Sequence, residues 1–234
     1  MKNSKFKIFI VIVLLSVIYF ITNYAVIDRK IYSANVESLY VLSLDDSEIK
    51  EINKCTKITK IFLAEATPNQ ISRFRNFRYL NDIYLVNSIT NNLDSKKIGS
   101  FNNLKSLNAF ESGIDFNELY SKTISSVSLY ASNAENLDTL SKCESLRRLN
   151  IYNSMVSGDC IVEENRKYIM KDSSIFSSLG NITDLMINVD EIQDISGILE
   201  MDSLKTFCVN KDSISEEHVK LLEDKGITVT YTEN

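Results

Sequence analysis

Apolar residues recur along this chain as a six-residue pattern, apolar-x-x-apolar-x-apolar, separated by polar-rich stretches. Its copies read LYVLSL from Leu39, ITKIFL from Ile58, LNDIYL from Leu80 and LKSLNA from Leu104. They continue as ISSVSL from Ile124, LRRLNI from Leu146, ITDLMI from Ile182 and LKTFCV from Leu204. Successive starts lie 19, 22, 24, 20, 22, 36 and 22 residues apart, and a near-constant period of this kind marks a stacked repeat architecture. Within each hexad the fourth and sixth positions lie two apart, so in a strand they face the same way, while the first position closes the turn around them. One coil cannot fold alone. Ordering about 20 residues costs about 1 to 2 kcal/mol each, and a lone coil leaves most of its apolar surface in water. Stacking the next coil covers that surface, so the pattern predicts one short strand per coil, laid parallel in a ladder about 4.8 Å apart.

Together with the residues that follow them, the hexads resemble the bacterial, internalin-like subclass of the leucine-rich-repeat family, from Leu39 to about Ile227. Where that family places Asn, three residues after the last Leu, this chain has Ser47, Ala66, Ser88, Ser112, Ser132, Ser154, Asp190 and Asp212. A small hydroxyl or carboxylate there still bonds the backbone that turns out of the strand. The family's I-x-D-I return is matched by Ile192, Asp194 and Ile195, and with Glu for Asp by Ile49, Glu51 and Ile52. Its L-x-x-C-x-x-L segment is matched by Leu140, Cys143 and Leu146. The resemblance implies an α/β solenoid: a right-handed leucine-rich-repeat coil of about eight repeats over residues 31–234, with a parallel β-sheet on its concave face. It also implies a non-catalytic module that holds a protein or peptide ligand outside the cytoplasm.

Both ends of a repeat array need closing. At the C-terminus, residues 213–234 read as a cap: Ser213 and Glu216 as a capping box, Val219, Leu221 and Leu222 as an apolar stripe, Gly226 as the stop, then a strand from Ile227 to Tyr231. At the N-terminus, the membrane or the Tyr32 to Val36 segment is expected to shield the first coil. The long sixth coil carries an insertion at 157–174, in which Cys160 to Met170 reads as a hairpin turning near Glu164 and Asn165. Such an insertion either emerges toward a ligand or is a tolerated loop.

Ahead of the repeats, Ile8 to Ile27 is broken only by Ser16, Thr22 and Asn23, and about 20 apolar residues just span a hydrocarbon core of about 30 Å. Residues 1–30 are therefore expected to be a basic cytoplasmic stub and a transmembrane signal-anchor helix, the membrane being met through residues 8–27. Lys2, Lys5 and Lys7 outweigh Arg29 and Lys30 less Asp28, which places the N-terminus inside and the repeats outside, on a single-pass cell-membrane protein. A cleaved signal peptide is the competing reading. Its best site, Ala25, has Asn23 where a small residue is wanted.

Composition removes other classes. With one Pro, no Trp and six Gly, the chain has no linker that would divide it. Beyond the first thirty residues the net charge is -9, against -5 for the whole chain, and this repels nucleic-acid phosphates. No two glycines lie two apart, so no dinucleotide or phosphate loop exists, and no cofactor or metal is expected. His218, the single histidine, falls on the cap helix and reads as an ordinary solvated residue. Cys55 and Cys143 occupy equivalent positions four coils apart, about 19 Å at 4.8 Å per coil, so they should be free and buried. A Cys160–Cys208 pair stays open.

The alternate positions of each hexad face outward. The fifth position runs Ser43, Phe62, Tyr84, Asn108, Ser128, Asn150, Met186, Cys208, and the residue after the hexad runs Asp45, Ala64, Val86, Phe110, Tyr130, Tyr152, Asn188, Asn210. Phe62, Tyr84, Phe110, Tyr130 and Tyr152 thus form an aromatic strip, flanked by Asn108 and Asn150, and these seven are the candidate ligand-binding residues. The alternatives to a bound peptide or protein ligand in general are an immunity or inhibitor protein occupying a toxin or enzyme, and a glycan binder.

Overall fold

A computed structural model of the chain describes residues 14–19, 23–75, 77–156, 160–162 (backbone) and 167–232. The chain enters the folded body through an antiparallel hairpin, β1 (Tyr24–Ile27) and β2 (Lys30–Ser33). Asp28 and Arg29 turn it with positive φ of 48° and 61°, as a two-residue hairpin turn requires. One strand per coil then follows, all parallel and in sequential order: β3 (Ser38–Val41), β4 (Lys60–Ala64), β5 (Asp82–Val86), β6 (Ser106–Phe110) and β8 (Ser126–Tyr130). The same sheet continues through β10 (Arg148–Tyr152), β14 (Asp184–Asn188), β16 (Thr206–Val209) and β17 (Thr228–Tyr231).

Register explains why these segments are strands. Leu39, Ile61, Ile83, Leu107, Val127, Leu149, Leu185 and Phe207 pair in one line, and each is at most 1% exposed. Two residues on, Val41, Leu63, Leu85, Ala109, Leu129, Ile151, Ile187 and Val209 form a second buried line. The expected register therefore holds from the second hexad onward. It fails in the first, which begins at Val36 rather than Leu39: Leu39 pairs with Ile61, and Leu42, expected inside, is 65% exposed. Leu39 to Leu42 is apolar throughout its hydrophobic positions and fits either face, so pairing with β4 decides. Ser43 and Asp45 consequently leave the outward columns, and Asp45 caps helix α1 (Asp46–Ile52), its carboxylate accepting the Glu48 N–H at 2.8 Å. That bond holds the Asp45 carboxyl below its ordinary value. Ile49 and Ile52 are buried from this helix, not from a return strand.

After each strand the chain turns on a repeated device. Glu65, Asn87, Glu111, Ala131 and Asn153 take left-handed φ of 44° to 56°, and each sends its N–H across to the last carbonyl of the next strand. The following corner holds the serines. Ser88, Ser112, Ser132 and Ser154 are buried, and each hydroxyl donates to the carbonyl two residues back at 2.8 to 2.9 Å. Each also accepts the N–H of the preceding coil: Ala66 to Ser88, Ser88 to Ser112, Ser112 to Ser132, and Ser132 to Ser154, at 3.0 to 3.2 Å. The ladder thus satisfies backbone donors that water cannot reach. Ser47 is not part of it, because the first coil's shifted register puts buried Leu44 at that place.

A second sheet runs along the return side, with strands β7 (Gly113–Asp115), β9 (Asn133–Glu135), β11 (Met155–Val156), β12 (Cys160–Val162), β13 (Tyr168–Met170) and β15 (Glu191–Ile192). The hairpin expected in the insertion is β12 against β13, Cys160 opposite Met170 and Val162 opposite Tyr168; its turn at Glu164 and Asn165 lies outside the described residues. Its two strands are stitched between β11 and β15, while β10 still pairs directly with β14. Asp194, of the family-like return, accepts from the Ser173 N–H and hydroxyl and the Ser196 hydroxyl. Although burial works against it, these bonds hold its carboxyl below the ordinary value. A 3-10 turn at Ser174–Ser178 and helix α3 (Ser196–Leu199), which follow, pack together. Gly197 touches the Ser173 carbonyl so closely that any Cβ would collide with it.

The caps differ from expectation in detail. Helix α4 (Glu216–Asp224) is capped by Ser215, whose hydroxyl accepts the His218 N–H, not by Ser213, which bonds back to Asn210 in a preceding turn. Of the expected stripe only Leu222 is buried, Leu221 being 44% exposed. Gly226 ends the helix at φ 87°. At the other end, Ala25 and Ile27 are buried against α1, and the Val26 and Asp28 N–H groups donate to Glu51 and Glu48. Burial raises the Glu48 carboxyl above its ordinary value. Residues 24–27, expected as the end of a membrane span, are therefore a strand that closes the core. Residues 14–19 are helical with apolar side chains about half exposed, and the rest of 8–22 lies outside the described residues. Among the described residues, no helix is long and apolar enough to cross a membrane.

Leu107→Asp or Leu149→Asp places a charge between two coils, and the expected outcome is loss of cooperative thermal unfolding and of soluble protein; a normal transition would refute the register. Ser112→Ala strands the buried Ser88 N–H, which should cost about 1 to 3 kcal/mol in urea unfolding with the fold retained.

Candidate binding face

Because side chains alternate along a strand, burying two positions sends the other three out. On the outward face the aromatic residues stack from coil to coil. Ring centroids are 4.3 Å apart for Tyr40 and Phe62, 4.2 Å for Phe62 and Tyr84, and 4.7 Å for Phe110 and Tyr130, with planes within 12°. Tyr84 and Phe110 stack at 6.4 Å, and Tyr130 and Tyr152 meet tilted by 33° at 5.9 Å. The strip is diagonal. Tyr40, Phe62 and Tyr84 share one column, then Asn108 takes that place and the aromatics move two residues on, to Phe110, Tyr130 and Tyr152.

All five aromatics read from the sequence are brought together. Tyr40 joins them at 55% exposure; the misplaced first register hid it, and its signal was the Phe62 and Tyr84 column continued one coil back. Parallel stacking turns ring faces toward one another, so solvent meets ring edges and tyrosine hydroxyls. Lys60 lies 5.6 Å from the Tyr84 ring centre, adding a cation to the strip. Asn108 and Asn150 flank it differently: the Asn108 amide donates to Ser106 Oγ at 2.8 Å, and the Asn150 amide to Ser128 Oγ at 3.0 Å. Those bonds tie both amides to serines of the sheet itself.

Among the described residues no group of His, Cys, Asp and Glu could hold a metal. His218 is half-buried on α4, less solvated than expected, with Nδ1 shielded and without a hydrogen-bond partner among the described residues. Cys55 and Cys143 are buried and free, and burial pushes both thiols up to about 11. Cys208 is free and half-buried on the outward face, beside Met186; the Cys160 side chain lies outside the described set.

No protein-family model matches the chain, and no curated protein matches it. Among solved structures, an internalin C2 of Listeria monocytogenes aligns with 76% of this chain and 83% of its own length, at 15% identity and a TM-score of 0.43. A second internalin of the same organism aligns with 86% of this chain and 64% of its own, at 16% identity and a TM-score of 0.46. The coil architecture stands on this chain's own parallel register and buried columns.

Thiol alkylation at pH 8 checks the cysteine environments. Cys208 should label in the native chain, while Cys55 and Cys143, with thiolate fractions of about 0.1%, should label at least tenfold more slowly until denaturant is added. Equal rates for all three would contradict the packing.

Proposed function

We propose that this chain is a membrane-anchored module that binds a protein or peptide outside the cytoplasm through the outward face of its nine-stranded sheet. The observation that carries this reading is the continuous aromatic ladder from Tyr40 to Tyr152. Stacking steadies the six rings against one another, and aromatic side chains with polar tips, already ordered by their neighbours, lose little entropy when a partner covers them. Edge-on presentation suits a polypeptide, whose carbonyls meet ring hydrogens and tyrosine hydroxyls. It suits a sugar less, since sugar C–H groups pack on ring faces, and the four inner rings from Phe62 to Tyr130 have a neighbouring ring on each side.

The anchor in this reading is the apolar stretch before Tyr24, with Lys2, Lys5 and Lys7 on the cytoplasmic side. An inhibitor of a basic toxin or enzyme is the second reading, favoured by the acidic charge of the later coils; its capture would weaken steeply with salt.

Converting Phe110, Tyr130 and Tyr152 together to Ser tests the face. The substituted side chains lie outside the buried columns, so the variant should still unfold cooperatively, at a temperature lowered only by the lost ring contacts. Peptides enriched on the parent from a displayed random library should lose at least tenfold in retention on the variant. Unchanged retention on a folded variant would overturn the proposal.

A further inference from the structure

In a solenoid, position along the sequence becomes position along the array, so charge asymmetry in the chain is charge asymmetry in space. Residues 31–105 carry ten Lys and Arg against eight Asp and Glu, whereas residues 106–234 carry eleven against twenty-two. The whole acidic excess therefore sits on the distal coils. The proximal coils, nearest the N-terminal hairpin, are slightly basic, and their basic residues are concentrated on one side.

That side is the one formed by α1, the 3-10 turn at Ile71–Arg73 and helix α2 (Asn92–Gly99), which belong to successive coils. Two open grooves of about 610 and 360 Å³ run across it and share Lys97; the first is lined by Lys50, Arg73 and Arg75, the second by Arg78. The neighbouring carboxylates are already engaged. Asp46 pairs with Arg73, Glu51 with Lys54, and Asp94 is buried, accepting the Asn69 and Ser72 N–H groups. Among the described residues Lys50, Arg75, Arg78 and Lys97 have no ion-pair partner. The same end of the molecule exposes apolar side chains: Val26 and Ile31 are paired across the β1–β2 hairpin at 44% and 62% exposure, and Leu42 is nearby, with Arg29 and Lys30 at the hairpin's turn and second strand.

We propose that the basic side of the proximal coils lies against anionic phospholipid headgroups, so that the solenoid leans on the membrane its N-terminal segment enters. This inference rests on the anchored reading above for its placement. Its own support is the coincidence of three features at one end: unpaired cations in open grooves, exposed apolar residues on the capping hairpin, and the apolar stretch that leads into it. The coils concerned lie within about 15 Å of the hairpin at about 4.8 Å per strand, and charges interact strongly within a screening length of about 8 Å at physiological salt. The acidic distal coils would be repelled from the same surface, which fixes the lean and keeps the aromatic ladder's far end accessible.

The test uses the full chain reconstituted into vesicles of phosphatidylcholine alone, or with one third phosphatidylglycerol, and reads acetylation of each lysine by mass spectrometry. On the anionic vesicles Lys50 and Lys97 should react at least threefold more slowly than on the neutral ones, while Lys205, Lys211, Lys220 and Lys225 are unchanged. Half-molar salt should abolish the difference, and Arg75→Gln with Arg78→Gln should reduce it in a folded protein. Equal rates for Lys50 and Lys97 on both vesicles would overturn the inference. So would slowing that appears in detergent without lipid and grows with protein concentration, which would assign the grooves to the acidic coils of a second copy. Flotation separates this from the anchor: a chain that does not float with phosphatidylcholine vesicles overturns the tether, while lysine protection on the anionic vesicles would still support the headgroup contact.

Discussion

Burial between successive coils is the interaction on which this structure depends. A single turn of about 22 residues brings five or more apolar side chains to a core it cannot enclose, and only the next turn, in the same register, completes the enclosure. Because each coil lends its neighbour a wall, the two buried lines running from Leu39 to Phe207 and from Val41 to Val209 must stay unbroken. Any unpartnered polar group between coils would cost about as much as several contacts gain. The serine ladder answers that constraint, with a hydroxyl in each of four successive corners satisfying the donor of the coil before it.

The same geometry builds the candidate face. Strands that must bury two positions expose the alternate ones, and parallel register places like residues about 4.8 Å apart, a spacing at which aromatic rings stack. An aromatic in one coil therefore gains from an aromatic in the next, and the ladder is rigid before any partner arrives. Its diagonal shift at Asn108 follows from two columns meeting side by side, not from a bend in any one strand.

Departures from strict repetition occur where the array must end or change. At the N-terminus an antiparallel hairpin replaces a coil and covers the first core with Ala25 and Ile27. In the sixth coil the inserted hairpin adds two strands to the return-side sheet without adding one to the main sheet. At about 4.8 Å each, these add about 10 Å to the return-side sheet at that point. The C-terminal helix and β17 then close the far end, with Leu222 as the plug.

Period, coil number and the aromatic strip were legible in the sequence, because a two-residue alternation repeated every 22 residues has one economical solution, a parallel ladder. Phe62, Tyr84, Phe110, Tyr130 and Tyr152 could be aligned by counting alone. Tertiary structure decided what counting leaves ambiguous. The Leu39 to Leu42 run fits two registers, and only pairing with β4 put Tyr40 on the face and Leu42 outside. Tyr24 to Ile27 continues an apolar stretch long enough for a membrane, and only the open end of the first coil turned it into a strand. The proximal basic grooves join Lys50, Arg75, Arg78 and Lys97 from three coils, and such convergence across the array is a property of stacking, which no local stretch of residues records.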